Sequence, residues 1–160
     1  MDGRYNVGID HIRSLAITCL ALDGLFDALF NSQTICGYSL RISDSYDRLF
    51  SVSLLNLAIS IRVSLSGEPE YKMKNLGVAA CGAFEFGGPN KDGEFTIKDV
   101  CDKIIHATKI SKPIERGVVG ACSKLSGHNN KEPWEFDLGV GIFCEWVLKW
   151  LEDIEVRLVQ

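Results

Sequence analysis

Between Gly8 and Phe30 the apolar residues Ile9, Ile12, Ala16, Cys19, Leu20, Phe26, Leu29 and Phe30 recur mostly at three- and four-residue steps. His11, Arg13, Ser14, Asp23 and Asp27 fall on the other side of the same helical wheel. Side chains so spaced share one face, so the stretch predicts a long amphipathic helix whose apolar stripe must be buried against other elements. Asn31 to Ser43, with Gly37 and several polar residues, reads as a connection. A second helix is expected from Ser43 or Asp44, either of which can cap exposed amides, through Leu49, Leu54, Leu55, Ala58, Ile61 and Leu65. Its tail is ambiguous, because Leu57, Ile59, Ile61, Val63 and Leu65 also alternate as a strand would. Helix is favoured there because no breaker interrupts the preceding residues. Two such helices predict an antiparallel hairpin.

Residues 66 to 94 carry Gly67, Gly77, Gly82, Gly87, Gly88, Pro89 and Gly93, and read as loop with a short strand at Ala83 to Phe86. Thr96 followed by Asp99 is a capping-box variant that opens a third helix, with Val100, Cys101, Ile104 and Ala107 on its buried side. Beyond Pro113, Val118 and Val119 precede a polar connection from Ser123 to Glu132, and Trp134 and Phe136 alternate with Glu135 and Asp137. This predicts two short strands in a small antiparallel ribbon. A final helix spans Gly141 to Arg157, with Phe143, Val147, Trp150, Leu151 and Ile154 inward and Glu145–Lys149 and Asp153–Arg157 as expected ion pairs. The predicted fold is mainly α (α+β): an antiparallel helical bundle with a small β-ribbon, in a single domain spanning residues 1–160.

Bulk properties narrow the classes of function. A formal net charge of −4, with Lys and Arg scattered, lacks the basic stripe expected of a phosphate-neutralising protein. The six cysteines form no Cys-x-x-Cys pair, and MDGRYNVGID does not read as an export signal, so reduced thiols in a cytoplasmic protein are expected. The apolar stretch Leu54 to Leu65 is interrupted by Asn56, Ser60, Arg62 and Ser64 and falls short of the ~20 residues of a bilayer span, so no membrane association is expected. No Gly-rich phosphate loop is present, and Gly120 to Lys124 lacks the spacing of one. Trp146 and Trp150, one turn apart, read as core. No cofactor is implied, and no metal is assigned: the Cys and His positions lack the paired spacing of a structural zinc site, and a site would need folding to assemble a set such as Cys81, Cys122 and His128.

The candidate chemistry lies in Asp102-Lys103-Ile104-Ile105-His106-Ala107. Asp102 and His106 are four apart, on one helical face, where a carboxylate could orient an imidazole for acid–base work. The plain structural reading is an ordinary helical pair. Set after a long helical hairpin, this segment resembles the HEPN superfamily of small helical-bundle proteins. That resemblance implies a dimeric ribonuclease of toxin or defence type, with His106 at the family histidine and Asp102 at its polar position; Lys103, on an adjoining face, is placed to stabilise an anion nearby. The family arginine position holds Cys101, so a basic group from elsewhere, Lys98, Arg62 or Arg116, would have to serve. Two functions are therefore expected. The first is a non-catalytic protein-binding module of regulatory, immunity or inhibitor type, with a protein partner, a homodimer as a second state and 77 to 93 as an interaction loop. The second is the ribonuclease, with RNA as its ligand.

Overall fold

A computed structural model describes residues 3–31, 40–74, 82–86, 95–113 and 121–160. The elements in chain order are α1 (Gly3–Phe26), which continues as a π-helical turn (Asp27–Asn31), α2 (Leu40–Leu65) and a 3₁₀ turn (Pro69–Lys72). After these come β1 (Gly82–Phe86), α3 (Ile97–His106), β2 (Lys109–Ser111), β3 (Ser123–Asn129), β4 (Glu132–Leu138) and α4 (Val140–Val159). The chain is thus mainly helical with a small antiparallel sheet.

The predicted stripe of the first helix is its core face: Ile9, Ile12, Ala16, Cys19 and Phe26 are buried. Two contacts set the sense of the α1–α2 pair. Gly8 near the start of α1 approaches Ser64 near the end of α2, and the Tyr46 hydroxyl donates to the Leu22 carbonyl at 2.6 Å. The pair is therefore antiparallel. Helix α4 also runs antiparallel to α1, since Gly141 at its start meets Asp23, and Glu155 near its end meets Arg13. Phe26, Phe30, Tyr46 and Phe50 form an aromatic cluster in which Tyr46 and Phe50 stack and the other contacts are tilted or edge-on. The ambiguous tail of α2 is helical to Leu65, and α2 starts at Leu40, so Ser43 and Asp44 lie inside its first turns rather than capping it.

The sheet is larger than a ribbon, with four strands in the order β1-β4-β3-β2, all antiparallel. Ser123 to Asn129, expected as connection, is strand β3. It joins β4 through Asn130 and Lys131, whose φ values of 47° and 75° are those of a two-residue hairpin turn. Ser123 and Gly127 occupy inward positions of β3, which removed the apolar alternation that marks a strand. Gly127 is required there: a Cβ would lie 2.5 Å from the Trp134 ring and 2.9 Å from the His106 carbonyl. Leu125, Trp134, Phe136 and Leu138 point inward and join the helices in one hydrophobic cluster.

The basic residues of the expected wet-side pairs of α4 make other contacts, some within the helix and some to the 3₁₀ turn. Arg157 donates through Nη2 to Glu68 and Glu70 and through Nε to the Asp153 carbonyl, and Lys149 sits over the Trp146 ring at 5.0 Å. Trp150 is buried and donates to Glu70 at 3.4 Å. Cys19, Cys101 and Cys144 are buried and outside any disulfide, as is Cys122, which is exposed. The residues flanking β1 in the expected loop, 77–81 and 87–93, lie outside the described residues, as do Cys36, Arg116, Val118 and Val119.

Candidate functional site

Helix α3 begins as its residues dictate. The Thr96 hydroxyl accepts from the Asp99 amide at 3.0 Å, and the Asp99 carboxylate accepts from the Thr96 amide at 2.9 Å. Val100, Cys101 and Ile104 are buried. The helix stops at His106 because Ala107 turns extended and Thr108 donates its amide to the Ser126 carbonyl at 2.8 Å, feeding the chain into the sheet.

The three residues expected to carry chemistry make separate contacts. Asp102 is held by Lys98, one turn back, and its Oδ1 lies 3.3 Å from Arg62 on α2. That oxygen accepts no hydrogen bond, so the Arg62 contact is one of charge rather than of aligned donor and acceptor. Lys103 places its ammonium 4.4 Å from the Trp134 ring centroid. Burial lowers its pKa, while Asp102 and Asp99 oppose that shift. His106 is exposed at the helix end. Cys101, at the family arginine position, is fully buried, so an arginine there would have to enter the core. Lys98 and Arg62 are the basic groups beside the polar position. Among the described residues no group of three His, Cys, Asp or Glu side chains is placed to hold a metal; His128 is exposed on β3, and Cys81 lies outside the described residues.

A second feature was not read from the sequence. Helix α2 is apolar on two faces. Tyr46, Phe50, Leu54, Leu57, Ala58, Ile61 and Leu65 face the core. Ile42, Ser45, Leu49, Val52, Asn56, Ile59 and Val63 follow one another at alternating steps of three and four and are all exposed. Val63 is 76% accessible, Val52 56% and Leu49 54%, values unusual for aliphatic side chains on one straight line. Because of both faces, Ile42–Leu65 is long and apolar enough to cross a membrane by length and composition, a longer apolar span than the sequence reading allowed. Beside the outer stripe lies an open groove of about 240 Å³, lined by Val52, Leu55, Ile104, Ile105 and Ile110.

Steps of three and four are the spacing of a coiled-coil seam, which exists to meet another helix. Such a stripe with a neighbouring groove can bind an apolar ridge. The sequence signal was present, but the core-facing residues of α2 share the same helical period and concealed it. The chain matches no protein-family model, no curated protein and no solved structure.

Proposed function

We propose that this chain is a cytoplasmic protein-binding module of regulatory, immunity or inhibitor type, without catalytic activity, that engages a helix through the outward face of α2. The observation that carries this reading is the uncharged stripe from Ile42 to Val63, exposed along nearly the whole helix. Helix-in-groove recognition uses anchors at this spacing, and the Leu55–Ile105–Ile110 groove beside the stripe offers a slot for a partner side chain.

The test is capture from native lysate by the tagged chain and by a Val52→Lys, Ile59→Lys variant. A stoichiometric protein bound by the first and lost by the second, with helicity unchanged, supports the reading. Identical capture by both counts against it.

The second reading, a HEPN-like ribonuclease, draws on Arg62, which stands beside Asp102 where the motif lacks its arginine. Under it His106 is the acid–base group. RNA cleavage abolished by His106→Ala in a folded protein supports this reading; no cleavage by the unaltered chain removes it.

A further inference from the structure

We infer that the occupant of the α2 outer face is a second copy of this chain, paired face to face about Asn56. This rests on the protein-binding reading and names its partner.

Two observations point to a copy rather than to an unrelated apolar surface, and a third bears on how stable the pair is. The first is the position of Asn56, an exposed amide near the middle of an otherwise aliphatic stretch, with Leu49 and Val52 before it and Ile59 and Val63 after it. Covering that amide with lipid or a plain apolar helix would strip its water and return no hydrogen bond. A two-fold copy brings an identical amide to the same height, and an amide both donates and accepts, so each satisfies the other. A single polar residue inside an apolar seam is the device that fixes register between paired helices, at some cost in affinity.

The second is charge. None of the seven stripe positions is ionised, so the seam itself carries no like charges, while Arg48 and Arg62 flank it. Arg62 at the edge is already paired with Asp102 of its own chain.

The third is size. A helix of 24 residues from Ile42 to Leu65 is roughly 36 Å long, and a strip about 10 Å wide gives a flat footprint of roughly 360 Å² per copy. Two such footprints come to roughly 720 Å², short of the ~1,000 Å² at which stable specific interfaces begin and in the range of weak, transient ones. The dimer is therefore reversible and concentration-dependent.

Sedimentation equilibrium of the full chain over a micromolar concentration series tests this. The expected result is a monomer–dimer equilibrium that Val52→Glu with Ile59→Glu weakens by about tenfold or more, the charges being buried unpaired. Both positions are exposed in the monomer, so circular dichroism should be unchanged. Asn56→Leu should tighten association by removing the buried amides. In a Cys122→Ser background, Asn56→Cys should form a disulfide-linked dimer under mild oxidation, while Ser64→Cys, off the stripe, should not exceed the parent chain. A dimer indifferent to the double substitution overturns the inference, and so does a chain that stays monomeric. If the monomeric chain still captures a different protein through Val52 and Ile59, this inference falls and the binding-module reading stands. If it captures none, both fall.

Discussion

Asp23 holds three parts of the chain together. One carboxylate oxygen accepts from Lys112 at 2.6 Å, the other accepts from the Gly141 amide at 3.1 Å, and the Asp23 carbonyl also takes a hydrogen bond from Lys112. The preceding Gly139 has no side chain with which to cap α4, so an acidic residue from α1 does that work at the positive end of the helix. The Lys112 side chain is wholly buried, with its ammonium 5.0 Å from the Phe26 ring centroid. Removing one partner of such a pair leaves an uncompensated buried charge, so Asp23→Ala should lower unfolding stability by about 3–5 kcal/mol in urea titration. The double variant Asp23→Ala, Lys112→Met should recover part of that loss, because both charges leave together. Gly127 is a second decisive residue: Gly127→Ala pushes a methyl into the Trp134 ring and the His106 carbonyl and should cost about 1–3 kcal/mol, read as a lowered thermal midpoint.

At the scale of elements, α3 and α2 obey their local sequences in different ways. The α3 start is a reciprocal cap, in which the Thr96 hydroxyl and the Asp99 carboxylate each satisfy an amide with no helical partner. Thr96→Ala should therefore destabilise by about 1 kcal/mol in denaturant titration. Helix α2 instead carries apolar residues on both sides, only one of which the chain buries. The periodicity that identifies a helix does not say how many faces need cover. Strand β3 is the opposite case. Its register against β4 is regular from Ser123 to Asn129, yet its own residues alternate poorly because the buried Ser123 is polar and Gly127 makes room for the Trp134 ring.

For the whole molecule, one surface network binds the 3₁₀ turn to α4. Arg157 reaches Glu68 at 3.1 Å and Glu70 at 3.2 Å, and Trp150 donates to Glu70. Partial burial alone would raise the Glu70 carboxyl, but a backbone hydrogen bond, the Trp150 indole and Arg157 together outweigh it and hold the pKa below its ordinary 4.5. The unfolded chain then binds the proton more readily, so this contribution is complete above 4.5 and is lost as pH falls through the lower folded value. Burial, with Asp44 second, raises Asp47, whose contribution is present at low pH and lost as pH rises through its folded value. Comparison with Glu70→Gln separates the two: the stability gap between wild type and variant should narrow as urea midpoints are followed from neutrality to below 4.5.

The helical class, the core faces of α1, α3 and α4, and the cap at Thr96 were settled by residue spacing alone, because these depend on contacts within one element or on a single continuous stripe. The fate of the candidate site was not. Asp102 and His106 share a helical face, but α2 brings Arg62 to the carboxylate, and the sheet ends the helix at the imidazole. The four-stranded sheet, the Asp23–Lys112 clamp across 89 positions, and the exposure of the outer α2 stripe were likewise decided by the tertiary structure. Local sequence sets which side chains share a face; only the packed chain determines which of those faces finds a partner inside it.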